Sequence, residues 1–317
     1  MGIVLTGSIA FDYLMTFPGR FRDHILPERL DRLSLSFLVD TLVRFRGGIA
    51  ANIAYTLALL GESPTIMATV GEDFQDYGKW LERHGVDTSA IRTIPGLFTA
   101  SFFVSTDQVN AQIASFYAGA MSRAADLHFA DLPAKPDAVV ISPNDPAAMI
   151  AYAGECRDLG IPYLYDPSQQ IVRLEAASLE EGISNCRGLF ANDYEMGLIE
   201  SKTGLDLEAV CERAEWVVVT CGADGADLYE GGRKVHVPAV TPTAIVDPTG
   251  VGDAFRGGFL KGFVHGLSLE RCAQMGTVAA TFCLEAKGTQ GHNCDLPAFL
   301  RRFRRHFDDR GDLDQLL

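Results

Sequence analysis

Apolar residues in this chain come in runs of two kinds, and their order predicts a layered α/β fold. Short apolar and β-branched runs lie at 3–8 (IVLTGS), 65–71 (TIMATVG), 138–142 (AVVIS), 163–166 (YLYD), 188–191 (GLFA) and 216–220 (WVVVT). Several are apolar throughout, the pattern of central parallel strands covered by helices on both faces. Helical patterns fall between them at 50–60, 74–84, 146–159 and 206–213, giving the β-α-β rhythm of an open, doubly wound, mostly parallel sheet. After about residue 250 the pattern turns helical, through GDAFRGGFLKGFVHG, LERCAQMGTVAATFCLEA and LPAFLRRFRRHF.

Two segments break this rhythm. In 32–46 and 98–118 polar and apolar residues partly alternate, as in strands with one solvated face. They predict a small β-lid formed by 13–45 and 97–120, set on a large α/β domain made of 1–12, 46–96 and 121–317. The acidic tail from Asp308 to Leu317 is expected to be loosely held.

Composition narrows the picture. With 317 residues, 47% of them hydrophobic, the chain can bury one large core without covalent staples. Its seven cysteines are scattered and never spaced as CxxC, which favours a reducing cytoplasm over a disulfide framework or a zinc site. No basic n-region precedes an apolar stretch at the N-terminus, and no run approaches the ~18 apolar residues of a membrane span. A net charge of −14 argues against nucleic acid as a partner, since phosphate-backbone binding needs a basic face. The run Arg301-Arg302-Phe303-Arg304-Arg305 reads as the solvated face of a helix.

The most informative stretch is DPTGVGDAFRGGF at 247–259, a glycine-rich turn running into a helix. Amides of Gly250, Val251 and Gly252 at a helix start form a nest with the positive end of the helix dipole behind it. Such a nest lets an acidic protein receive an anion locally. Asp253, beside it, is placed to take a proton from a hydroxyl attacking a phosphoryl group. Alone, the same pattern fits a tight turn followed by an acid in the first helical turn. Other nucleotide motifs are missing: Lys202-Thr203 lacks the Walker glycines, no GxGxxG follows the first strand, and neither HExxH nor GxSxG occurs.

The full string resembles the C-terminal signature of the ribokinase-like (PfkB) carbohydrate kinases, and other segments follow that family's order. Gly7-Ser8-Ile9-Ala10-Phe11-Asp12 resembles its GxxxxD, and Gly47-Gly48-Ile49-Ala50-Ala51-Asn52 resembles its GGxxxN. Asn192-Asp193-Tyr194-Glu195 is similar to NxxE, and Thr220-Cys221-Gly222-Ala223-Asp224-Gly225 to TxGxxG. The resemblance implies a ribokinase-like fold and an ATP-dependent kinase, with Asp253 as base and Gly250, Val251 and Gly252 as anion hole. Thr220, Gly222 and Gly225 would border the nucleotide, while Asn192 and Glu195 would order Mg²⁺. Taken singly, Asp12 also fits a turn acid and Asn192 a helix cap.

The lid narrows the acceptor. Phe102 and Phe116 sit in the two halves of a predicted hairpin and are suited to sandwich a base, and Gln169 and Gln170 to reading its polar edge. Packing within the lid is the other reading of the Phe pair. The segments SLSFLVDTLV, AQIASFYAGAMS, DPSQQ and LEAKGTQ also resemble bacterial adenosine kinases of the actinobacterial type. That likeness implies ribose held by Ser8, Asp12, Gly48 and Asn52, and a pocket completed by Ser36, Gln112, Met121, Gln169 and Gln170. It further implies AMP as product and a homodimer joined through the lid. Another nucleoside, or a sugar such as ribose or fructose, is the alternative acceptor within the family. A catalytically silent nucleoside-binding protein is the alternative outside it.

Overall fold

A computed structural model of the chain describes residues 2–32 and 34–317; Met1 and Leu33 lie outside the described residues. The strands β1 (Ile3–Thr6), β4 (Thr65–Val70), β5 (Ile91–Thr93), β8 (Ala138–Ile141), β9 (Tyr163–Tyr165), β10 (Gly188–Asn192) and β11 (Trp216–Thr220) run parallel. β12 (Ala226–Glu230) and β13 (Arg233–Val237) extend this sheet antiparallel, giving nine strands in the order β13-β12-β11-β10-β9-β8-β1-β4-β5. Every residue of β1 and β8 is buried, as their unbroken apolar runs require. The helices are α1 (Ile49–Leu59), α2 (Gln75–Arg83), α3 (Pro146–Leu159), α4 (Ala176–Ser184), α5 (Asp193–Thr203), α6 (Leu207–Cys211), α7 (Val251–Val264), α8 (Leu269–Leu284) and α9 (Leu296–His306).

The chain leaves β1 toward β4 on one side and later returns to β8 on the other, so the strand order reverses at β1. In open α/β sheets the crevice at such a point, outside the carboxyl ends of the strands, is where ligands bind. Across this crevice stands a second sheet, β3 (Thr41–Gly47), β2 (Ala10–Thr16), β6 (Ala100–Thr106) and β7 (Gln112–Tyr117), in that spatial order. A small second sheet is what the alternating segments predicted, and its strands differ from those segments in two places. β2 starts inside the segment assigned to the large domain. Residues 34–40 are not strand: only 41–47 pairs with β2, because that stretch alone lies opposite it.

The tail also departs from expectation. Leu313 and Leu316, one turn apart, are buried against Phe299, Phe303 and Met275, and Asp312 pairs with Arg271 at 3.3 Å. Two leucines three apart give an acidic segment an apolar face, and that face docks it. Arg302 is likewise folded back, chelating Glu285 with two bonds of 2.7 Å, so the arginine run is only partly solvated. All seven cysteines are free, and no described helix is long and apolar enough to cross a membrane.

Candidate active site

The cleft begins at helix α7, whose N-cap is Gly250. Its φ of +78° is left-handed, and a Cβ there would sit 2.8 Å from Thr289 Cγ2, so glycine is required twice over. The backbone N–H groups of Gly250, Val251, Gly252 and Asp253 have no acceptor among the described residues. Asp247 shapes the turn: its Oδ1 accepts from Thr249 N and its Oδ2 from Gly288 N, each at 2.9 Å. Burial opposes ionisation of Asp247, but these bonds outweigh it and hold the carboxyl below its usual range.

Opposite α7, helix α1 starts at Gly48, where φ is +94° and a Cβ would meet the backbone of Ser8–Ala10 at 2.6 Å. This close approach sets Asn52 against Asp253: Asn52 Nδ2 donates to Asp253 Oδ2 at 2.8 Å. Asn52 is itself oriented by Gln290, whose Nε2 donates to Asn52 Oδ1 at 3.0 Å and to the Tyr77 hydroxyl at 2.5 Å. Trp80 Nε1 fixes Gln290 by donating to its Oε1 at 3.1 Å. The polar chain from Trp80 to Asp253 thus leaves the amide little freedom to turn.

Burial raises Asp253 to about 6, against the opposing pull of Arg256 and the Asn52 hydrogen bond. Asp12, on β2, is raised to about 6 by burial and by the charge of Asp253. On the far wall, Asn192 caps α5. Its Oδ1 accepts from Glu195 N at 2.7 Å while Glu195 Oε2 accepts from Asn192 N at 2.8 Å. Glu195 Oε1 accepts from the Ser168 hydroxyl at 2.9 Å.

These groups line one cavity of about 410 Å³, a volume suited to a small metabolite. Of the sequence-predicted residues it gathers Ser8, Asp12, Gly48, Asn52, Phe102, Phe116, Gln169, Asn192, Glu195, Thr220, Gly250, Val251, Gly252 and Asp253. Phe102 and Phe116 are cross-strand partners on β6 and β7. Six others stand outside its lining. Ser36 is exposed in the segment before β3, and Gln112 lies exposed at the start of β7, opposite Thr106. Met121 is buried with Ala10 and Ala100. Gln170 is buried and spends its amide on Asn144 O at 2.6 Å, because the turn after β9 faces it away from Gln169. Gly222 and Gly225 form the turn beyond Thr220.

The cavity also holds residues that sequence reasoning missed: Ser168, Thr289 and Arg256. Ser168 and Thr289 lie inside DPSQQ and LEAKGTQ, as does Gln290, so those segments already carried the signal. Arg256 had only its position three residues after Asp253.

The chain matches the family model for pfkB family carbohydrate kinases over residues 11–295. A nucleoside kinase of Methanothermobacter thermautotrophicus is 30% identical over 305 residues, 95% of each chain. Among solved structures, the Burkholderia thailandensis nucleoside kinase in complex with inosine gives a TM-score of 0.86 at 32% identity, over 96% of this chain and 98% of that one. The Methanocaldococcus jannaschii nucleoside kinase, an archaeal member of the ribokinase family, gives 0.86 at 26% identity, over 96% and 99%. The molecule is therefore a phosphotransferase that acts on a hydroxyl group. It belongs to the pfkB family of carbohydrate kinases, with the ribokinase-like fold. These relatives are nucleoside kinases in the broad sense, so the narrower likeness to adenosine kinases is not carried by them.

Proposed function

We propose that this chain is a nucleoside kinase that transfers the γ-phosphoryl group of ATP to the 5′-hydroxyl of a purine nucleoside, adenosine among its acceptors, releasing ADP. One observation carries the reading: Asp253 and the free amides of α7 share a cavity with hydroxyl-binding groups on one side and two lid phenylalanines on the other. The related Burkholderia protein was solved with inosine, a purine nucleoside, which fits the same division of the cavity.

In this reading Asp12 and Asn52 hold the ribose, and Phe102 and Phe116 cover the base with apolar surface. Closing the lid excludes water that would otherwise compete for the phosphoryl group. The 5′-oxygen bonds to the γ-phosphorus, the bond from that phosphorus to the β–γ bridging oxygen breaks, and the hydroxyl proton passes to the Asp253 carboxylate. The amides of residues 250–253 face the charge on the transferring group. Glu195 and Asn192 suit Mg²⁺, because both bring oxygen donors to the cavity wall and Mg²⁺ keeps most of its water, so few protein ligands are needed. When bound with ATP, Mg²⁺ would neutralise polyphosphate charge.

The test is ADP release with ATP and Mg²⁺ against adenosine, inosine, guanosine, ribose and fructose. Purine nucleosides should give the highest kcat/KM, by about tenfold or more, since the free sugars forgo the stacking on the lid. A clear win for ribose or fructose would overturn the nucleoside assignment, and no turnover with any acceptor would point to the silent binder. The exposed apolar residues of the lid, among them Leu42, Phe103 and Ile113, also suit a second copy of the chain, and we propose a lid-joined homodimer that sedimentation would detect.

A further inference from the structure

We propose that Arg256 is a further catalytic residue that meets the transferring phosphoryl group, and that Asp166 is the positioning residue that holds it there; the inference rests on the kinase reading above. Among the described residues that line the cavity, the charged groups are the carboxylates of Asp12, Glu195 and Asp253 and one cation, Arg256. A site with that balance repels polyphosphate everywhere except at the amides of α7 and at this guanidinium.

The geometry sets Arg256 beside those amides. It lies three residues after Asp253 on α7, so both side chains leave the same face of the helix. Its Nη1 is close enough to Gly252 that a Cβ on that residue would lie 2.9 Å away, which places the guanidinium edge at the anion hole itself. On its other edge Nη2 donates to Asp166 Oδ1 at 2.5 Å, and the Phe190 ring lies 5.8 Å from the guanidinium carbon. Asp166, at the end of β9, is fully buried and Arg256 is 8% exposed. Burial pushes the Asp166 carboxyl up to about 7 against the opposing pull of Arg256, with the charges of Glu195 and Asp253 adding to the rise, while the surrounding carboxylates hold the guanidinium protonated.

Two details speak against a purely structural tie. Arg256 Nε and Asp166 Oδ2 are buried with no partner among the described residues, whereas buried polar groups are nearly always satisfied. A buried ion pair is also a weak way to join a helix to a strand, since apolar residues of similar volume do so at least as well. Of the other cations, Arg46 lies 4.4 Å over the Trp80 ring, Lys202 donates to the carbonyls of Ile171 and Val172, Lys261 pairs with Glu62, and Lys287, whose charge reaches Asp247, lies 5.8 Å from the Phe45 ring and outside the cavity lining. Arg256 stays protonated throughout the reaction and contributes charge alone.

The experiment compares binding of adenosine and of adenosine 5′-monophosphate, by calorimetry without ATP, to wild type, Arg256→Gln and Arg256→Lys. In Arg256→Gln the monophosphate should bind about 10-fold or more weakly, as loss of a charged hydrogen bond implies, while adenosine changes by less than about twofold. The kcat should fall by about 10²–10³-fold, the scale of a lost transition-state donor. Arg256→Lys should show the same selective loss to a smaller extent, and it carries the test if Arg256→Gln does not fold. Equal weakening of both ligands would make Arg256 structural, and an unchanged monophosphate affinity would remove it from the phosphoryl site; either overturns the proposal. If wild type binds neither ligand, the kinase reading fails first, and with it this one.

Discussion

Asp253 is held at about 6 by burial, and a base must be ionised to take a proton. The account therefore expects kcat/KM for the nucleoside to rise as pH passes through about 6 and to level off above about 7, measured with saturating ATP. Asp12 is raised to about the same value, partly by Asp253, so the acid limb belongs to the pair. Stability runs the other way. A carboxyl raised above its unfolded value of about 4 stabilises the fold below that pH, and the contribution is lost as pH climbs through about 6. Asp253→Asn should thus raise Tm more at pH 7.5 than at pH 4.5, as thermal melts would show; an equal change at both would mean that burial does not strain this carboxylate. At this scale Asp253 was legible because a glycine-rich helix start is a local pattern. Its partner Asn52, and Gln290, which orients Asn52, were only partly so: each was in a recognisable segment, but the Asn52–Asp253 and Gln290–Asn52 bonds span 201 and 238 residues.

At the scale of elements, the continuous apolar runs announced β1, β4, β8, β9, β10 and β11, since a strand buried on both faces has no other pattern. What the pattern lost were elements fixed by partners. β12 and β13 mix polar and apolar residues on an edge of the sheet, and their pairing depends on the tight turn at Gly231 and Gly232, with φ of +56° and +75°. The stretch 34–40 alternates like a strand yet finds no strand to pair with, while the tail docks through Leu313 and Leu316. Helix α7 shows how an element carries the site. Phe259 lies 5.0 Å from Phe190 and 5.1 Å from Trp216, so it anchors the helix on β10 and β11 while the other end presents Asp253. Phe259→Ala should destabilise the protein by about 3–5 kcal/mol in denaturant melts. A loss below about 1 kcal/mol would show that α7 is held by other contacts.

For the whole molecule, function depends on two sheets meeting over one crevice. The reversal of strand order at β1 puts the crevice there, and the second sheet supplies its roof. Phe116, half exposed on β7, is worth most when the roof closes on a base; Phe116→Ala should weaken nucleoside binding by about 1–3 kcal/mol. Unchanged affinity in calorimetry would assign the ring to the lid surface instead. The fold and the cleft's main groups were readable from ordered motifs, but the pocket's base-facing wall was not. Ser36, Gln112, Met121 and Gln170 were expected there and lie outside the cavity lining in this structure, while the acceptor is drawn more broadly than adenosine because the related proteins are nucleoside kinases. The central claim is tested most directly by following ATP and adenosine with wild type and Asp253→Asn side by side, resolving products by chromatography and ³¹P NMR. The account predicts adenosine 5′-monophosphate and ADP in equal amounts from wild type, formed about 10²–10⁴-fold more slowly by Asp253→Asn. Equal rates from the two proteins, or no monophosphate from wild type, would contradict it.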